Sequence, residues 1–409
     1  MRKRFWIFFL FACGAIALRN PDWWLHPQFV AEDGKIFFAQ QLVQGAHAVF
    51  VPSNGYLHLL PRLIAWSASP FPVVWQPLVF QVAGVIIAAL CAAYFVLPEC
   101  RFLLASDDLR MAVSALAIID CHGEDLFANV AALQVFLFPV GLILLISNRS
   151  GPLRTVLIAV VALTAPALIL FLPLAIWRYV RHQNLTASVY IVCAAIQIGV
   201  ILTNARQVPH RPYPFWLPFV AAAESWVYRV GATLVIGVDW ALFAGAKGGL
   251  GLAAVLAGAV LILLLWSQRR FCLKSPSNHV FWISIALGPA LILEACLARQ
   301  ELLYFFQELN HFSLGGGARY FFMPACLFFL AAAILVERIR PHWRSEQQAG
   351  ALVFLFLVGI HDNYPIAKYE DLHWASESEK IQAWKHTRTG SLQVRIPPTK
   401  QALWLIELP

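Results

Sequence analysis

The sequence is short of charge. Asp, Glu, Lys and Arg make up only 13% of its 409 residues, while 60% are hydrophobic. That charged share is about half that of a soluble domain, which excludes a soluble globular protein of this length. Disorder, collagen and a coiled coil are excluded as well, because the apolar residues run on without a glycine repeat or sustained heptads. The 8 cysteines form no spaced framework. Cys13, Cys91, Cys193, Cys296 and Cys326 fall inside apolar runs, and Cys121 alone is expected on the far side, so no structural disulfide is expected. There is no Gly-x-x-x-x-Gly-Lys-Ser/Thr loop, no His-Glu-x-x-His pair, no Gly-x-Ser-x-Gly elbow and no dinucleotide fingerprint. ATP-driven transport, zincin proteolysis and hydride transfer lose their support with them. The formal charge of +8 lies mostly in short loops between apolar runs, a placement that points away from nucleic acid.

What is present is an all-α polytopic membrane protein. Arg2, Lys3 and Arg4 precede an apolar stretch over 5–18. The pattern has the form of a signal peptide with Ala15-Ile16-Ala17 as a cleavage site, but a retained first span is preferred because nothing after it reads as a secreted domain. Further apolar runs cover 73–97, 111–119, 135–147, 155–176, 186–203, 248–266, 279–297, 319–336 and 349–360. Several fall short of the roughly 20 residues that cross a bilayer alone, so they need protein neighbours or a thinned membrane. The run 155–176 contains Pro166 and Pro173, and reads as a hairpin of two half-helices turning near Thr164-Ala165-Pro166.

Half of the 30 basic residues fall in 1–4, 101–110, 149–154, 178–181, 269–274 and 338–344. With the N-terminus inside, all these loops are cytoplasmic, as the excess of Lys and Arg requires. The outer side then receives 19–71, 120–134, 204–247, 299–318 and the end of the chain. The expected division is a membrane domain over 1–361, including a first outer loop at 19–71, and a short outer tail at 362–409. In the first loop, 36–43 and 56–66 have apolar residues at helical spacing and are expected as helices lying on the membrane surface. In the tail, 392–396 and 402–406 predict a small hairpin around Pro397-Pro398.

The outer loops hold the groups that could do chemistry. Glu32 and Asp33 are adjacent in a segment rich in Trp and Phe, where partial burial would raise a carboxylate's pKa toward that of a useful base; a helix start favoured by the dipole is the plainer reading. Asp120, His122, Glu124 and Asp125, followed by Asn129 and Gln134, could hold a divalent metal or hydrogen-bond sugar hydroxyls, or form a solvated turn. Gly315-Gly316-Gly317-Ala318-Arg319-Tyr320 places a guanidinium at the mouth of a span, with Asn310 and His311 upstream. Such a group suits a phosphate, or serves as an interfacial anchor. His58 and Arg62, four apart on one helix face, fit an anionic head group. Glu294 is an intramembrane carboxylate whose simplest partner is Arg299 or Arg319.

Ala31-Glu32-Asp33-Gly34, Gly55-Tyr56-Leu57-His58-Leu59-Leu60-Pro61-Arg62, Ala128-Asn129 through Gln134, and Gly317-Ala318-Arg319-Tyr320 together resemble bacterial multispanning proteins related to the GT-C glycosyltransferases. The similarity runs from the first span to the tail. It departs at Ala131-Ala132-Leu133-Gln134-Val135, where a more polar stretch ending in Gln-Trp is expected. The resemblance implies a GT-C-like bundle of about eleven to thirteen transmembrane or half-spanning helices. It also implies residence in the bacterial inner membrane and a polyprenyl-phosphate-linked sugar donor, with a glycan, lipid or protein acceptor. Carried over by position, Asp33 or Glu32 is the acid acting on the acceptor, and Glu124 or Asp125 is a second acidic contact. Arg319 with Tyr320, and Arg62 with His58, would face the lipid phosphate. Trp23, Trp24 and Phe37 would border the groove, and a divalent metal is a conceivable cofactor. The rival expectations are a transporter or flippase of a lipid-linked saccharide, which predicts charges deep in several spans, and a non-catalytic envelope scaffold.

Overall fold

The computed structural model describes residues 2–120, 122, 126–147, 151–182, 184–204, 213–241, 243, 276–298, 319–339, 341–361, 369–398 and 404–409. Among them the chain is mostly helical. Five helices are long and apolar enough to cross a membrane: Val73–Val96, Leu185–Thr203, Leu217–Ile236, Val280–Leu297 and Arg319–Ile339. Pro152–Ala162 and Pro166–His182 form a sixth if the pair counts as one span; the chain turns by 116° between them, at the Thr164-Ala165-Pro166 step expected to break it. Val130–Ile146 is a shorter apolar helix. The expected run 248–266 lies outside the described residues.

The chain divides into two compact units. One comprises 1–15, 92–125 and 208–366. Its core is built from Leu109, Leu116, Ile292, Phe329, Leu352 and Phe356, all fully buried. Ser106 opens the helix Asp107–Ile119 by accepting the Leu109 N–H at 3.2 Å, and Asp107 and Asp108 place negative charge in its first turn. Those two aspartates gather the basic segments at that end. Arg4 lies 3.4 Å from Asp108, Arg101 grips Asp107 at 3.1 Å, and Arg110 binds Asp107 while also donating to the Ala105 carbonyl at 3.0 Å. Glu337 accepts the Ser106 N–H at 3.2 Å, and Ser345 bonds to Asp108. Segments far apart in sequence but alike in charge thus meet at one end of this unit.

The same unit corrects one expectation. The sequence predicts an outer loop over 204–247, but Leu217–Ile236 is a candidate span. Glu224, Ser225, Arg229 and Thr233 interrupt its apolar residues, so a hydropathy reading passes over it. The helix accommodates them by widening to a π-helical stretch over Ser225–Ala232, with Ser225, Arg229 and Thr233 buried against protein.

The second unit comprises 16–91, 126–207 and 367–409. The C-terminal carbonyls of the helix Leu133–Ile146 would be orphaned in an apolar setting. Arg178 satisfies them, donating to Leu145 and, at 2.8 Å, to Ser147. The bend after Ala162 reaches the start of the helix Leu59–Ala68, where Leu59 N–H meets the Leu163 carbonyl at 3.2 Å and Leu60 N–H meets Thr164 Oγ1 at 3.0 Å. The two expected surface helices form as a π-helical turn Asp33–Phe38 running into Ala39–Gln44, and as Leu59–Ala68. One face of each packs against protein, with Phe37, Phe38, Arg62 and Ile64 buried, while Val43 and Trp66 stay exposed.

The tail forms a helix, Trp374–Thr387, which its polar composition did not reveal, and the expected hairpin. The strands Leu392–Arg395 and Leu405–Leu408 pair antiparallel with Val394 opposite Ile406, so the second strand begins three residues later than expected. The tail docks on the first loop. Trp374 meets Phe29 edge-on at 5.1 Å and donates to the Val74 carbonyl at 3.2 Å, and Gln28 bonds to Glu370 O at 2.8 Å and Leu372 N at 3.1 Å.

Candidate functional site

Asp33 begins the π-helical turn and is only 4% exposed. Its two carboxylate oxygens accept the N–H groups of Val130 and Ala131, both at 3.0 Å. Those N–H groups are the unsatisfied donors at the start of the Val130–Ile146 helix, so Asp33 caps a helix from a remote part of the chain. Asn129 Oδ1 also accepts from Ala131, at 2.9 Å. Burial pushes the Asp33 carboxyl up to about 8; the two N–H bonds pull against it, and neighbouring Glu32 adds to the rise. Glu32, half-buried, is the residue just before this turn.

A carboxyl held above its ordinary value binds a proton in the folded chain that the unfolded chain has already released. Its contribution to stability is therefore complete below the ordinary value of 3.8 and is lost as pH climbs to about 8. Thermal unfolding of the detergent-solubilised protein should show the melting temperature falling between pH 5 and 8, with this component of the slope missing in Asp33→Asn. Parallel slopes in the two proteins would place the carboxyl in an ordinary environment.

Arg62 is 1% exposed, and packing sets its position. Its guanidinium lies 5.0 Å from the centre of the Phe37 ring, one turn beyond Asp33, and Nη2 donates to Gln40 Oε1 at 2.6 Å. Among the described residues, Nε and Nη1 have no hydrogen-bond partner. Burial lowers the group to about 10, so it stays cationic at neutral pH. His58, just before the helix that carries Arg62, lies against the other partners of this cluster, 5.5 Å from Phe37 and 4.4 Å from Tyr56, ring to ring. Gln134 donates to Tyr56 Oη at 3.4 Å. The helix Leu59–Ala68 packs on both the π-helical turn and Val130–Ala132, and so brings Asp33, Phe37, His58 and Arg62 into one neighbourhood.

Arg319 and Tyr320 belong to the other unit, at the start of Arg319–Ile339, with the guanidinium 5.4 Å from the Tyr320 ring. Glu124, Asp125, Arg299, Asn310, His311 and Gly315 to Gly317 lie outside the described residues. Of the three expected groove aromatics, Phe37 is in the cluster; Trp24 donates its indole N–H to Ala17 O at 3.0 Å, and Trp23 is buried. Among the described residues, no group of three His, Cys, Asp or Glu is placed to hold a metal ion.

A second polar cluster was only partly legible. Asp120 and His122 are fully buried in the first unit rather than solvated in a turn. His122 Nδ1 is 3.0 Å from Asp120 Oδ1, and Nε2 is 2.6 Å from the Arg229 carbonyl. A carbonyl only accepts, so Nε2 donates, and a proton lies between Nδ1 and the carboxylate. The Arg229 guanidinium covers the Phe321 ring at 5.1 Å. The signal that could have found Arg229 is one arginine in the middle of twenty otherwise largely apolar positions.

The fold and the buried polar clusters define a helical, multi-pass membrane protein. No protein-family model, curated protein or solved structure matches the chain.

Proposed function

We propose that the protein transfers a sugar from a polyprenyl-phosphate-linked donor to a cell-envelope acceptor at the membrane face carrying the first loop. The observation that carries this reading is the presence, on elements packed together, of a buried carboxyl raised to about 8 and a buried guanidinium whose Nε and Nη1 have no hydrogen-bond partner among the described residues. A carboxylate of that basicity suits general-base work near neutral pH. Asp33 takes the proton as the acceptor oxygen bonds to the anomeric carbon. The bond from that carbon to the phosphate oxygen breaks, its electrons leave with the lipid phosphate, and Arg62 offsets the growing charge. Half-buried Tyr56 supplies a ring of the kind that lines sugar sites.

Membranes containing the protein, given radiolabelled polyprenyl phosphate sugars, should transfer label to an acceptor; membranes carrying Asp33→Asn should not. Arg62→Met separates binding from folding. Replacing a buried cation by an apolar side chain of similar length should leave the melting temperature unchanged or higher. Losing a charged hydrogen-bonding partner of the leaving phosphate should lower kcat/KM about 10- to 100-fold. A melting temperature that collapses while kcat/KM stands would make Arg62 structural.

Transport of a lipid-linked saccharide is the second reading, favoured by one observation: Arg229 and the Asp120–His122 pair put buried charge inside a bundle of candidate spans. Flipping of a labelled lipid-linked sugar in vesicles, abolished by His122→Gln and untouched by Asp33→Asn, would decide for it.

A further inference from the structure

We propose that the C-terminal hairpin is the positioning element of the Asp33 site, holding that carboxyl dry and aimed at Val130 and Ala131 from more than three hundred and fifty positions away in sequence. The role given to Asp33 rests on the function proposed above; the placement by the tail does not.

Asp33 sits near the start of a helical run that passes through the π-helical turn Asp33–Phe38 into Ala39–Gln44, so the segment leading into it must be held from outside that run. Residues on both sides of it are tied to the tail. Ala31 has a left-handed backbone, φ 46°, which a residue with a Cβ keeps only where its surroundings over-determine it. The constraint is the Pro397 carbonyl, which accepts the Ala31 N–H at 2.8 Å. On the other side, Gly34 leaves no room for a Cβ: one placed there would lie 2.7 Å from Ile396 Cδ1, 2.8 Å from Phe29 Cβ and 3.4 Å from Ile406 Cδ1. Lys35 then extends over the Trp404 ring at 5.6 Å. The tail therefore fixes residues 31, 34 and 35 around the acid.

The hairpin is built to bear this load. Val394, Ile396 and Ile406 are fully buried, and Ile396 N–H bonds to Trp404 O at 3.0 Å beyond the paired strands. Trp384 ties the preceding helix to both ends of the hairpin, donating to Gly390 O at 2.8 Å and Pro409 O at 3.1 Å. Arg388 reaches across to the Leu42 carbonyl at 3.2 Å, anchoring the far end of the helix that continues from the π-helical turn. A tail that merely covered the loop would need none of these ties to the residues that flank Asp33.

Loosening the tail has two opposing effects on the carboxyl. Admitting water stabilises the charged form, while losing the N–H bonds destabilises it. Burial is the larger influence on this group, so the proton should be released at lower pH. The test follows the infrared C=O stretch of the protonated Asp33 carboxyl across pH, isolated as the difference between the full-length protein and its Asp33→Asn variant in lipid nanodiscs. The native chain should titrate near pH 8. Ile396→Ala should move the midpoint down by about one pH unit or more, a tenfold loss of proton affinity, and Ile396→Val should restore it. In the transfer assay Ile396→Ala should lower kcat with donor KM unchanged. An unshifted midpoint in Ile396→Ala overturns the proposal. Should that variant fail to reach the membrane, Gly34→Ala is titrated in its place, and an unshifted midpoint there overturns it equally. Absence of transfer by the native protein would remove the enzymatic reading, and the infrared midpoints would still judge the positioning by the tail.

Discussion

Asp33→Asn is expected to reduce sugar transfer by about 10²- to 10⁴-fold, the range that a general base contributes. The substitution preserves size and one acceptor oxygen, so the Val130–Ile146 helix keeps part of its cap, and Asn129 already shares the Ala131 N–H. What is removed is the ability to take a proton. The pH profile gives a second signature. The active form is the carboxylate, and burial holds that group at about 8, so native kcat/KM should climb with pH and level off above that value. A bundle that inserts normally and transfers sugar at the native rate with Asn at this position would end the assignment. A profile that levels off near pH 5 would mean that the carboxyl is solvated during turnover.

The largest expected loss of stability comes from Gly359→Ala. In the unit that holds it, the helix Ser345–His361 passes so close to Thr233 and Leu234 that a Cβ at Gly359 would lie 2.5 Å from the Thr233 carbonyl oxygen and 2.4 Å from that of Leu234. Backbone atoms cannot rotate away as a side chain end would. The helices must separate, and that costs packing across the whole contact, where close approach of small residues supplies the attraction that the hydrophobic effect does not supply in lipid. A loss of about 3 kcal/mol is expected, at the upper end for overpacking. Unfolding of the solubilised protein by denaturant would measure it, with Gly350→Ala as the control, since a Cβ at Gly350 meets nothing within 4 Å. Equal midpoints for the two variants would show that the helices are free to part.

Much of the architecture was legible because bilayer thickness converts apolar length directly into a count of spans. The long runs at 73–97, 186–203, 279–297 and 319–336 all emerge as candidate spans, and Pro166 in the run 155–176 marks a real turn, while Pro173 lies within the second arm. Leu217–Ile236 was not legible, because a helix packed among protein neighbours can afford Glu224 and Arg229 where lipid-facing positions cannot. The helix Trp374–Thr387 was missed for a related reason: its burial rests on Trp374, Ile381 and Trp384, too few apolar residues to stand out in a polar tail.

At the candidate site, residue types pointed to Asp33, His58 and Arg62, since paired acids and basic residues at helical spacing are visible in one dimension. Partial burial was expected for Asp33; the near-complete burial of Asp33, His58 and Arg62 was not visible. The π-helical turn that carries Asp33 is covered by the tail and by Leu59–Ala68, and that covering turns an ordinary aspartate into a group of raised basicity. The Asp120–His122 pair shows the same limit: its residues were noticed, but its partner is a backbone carbonyl exposed by a π-helical stretch a hundred residues away.

Composition and the spacing of apolar runs, by themselves, determined that this chain is a helical multi-pass membrane protein, because every apolar segment must be kept from water whatever its neighbours are. The electrostatic character of each polar group was decided only by tertiary structure. A carboxyl, an imidazole or a guanidinium takes its charge state from the atoms packed around it, and in this chain those atoms come from the tail, the second loop and a widened helical turn, none of them adjacent in sequence.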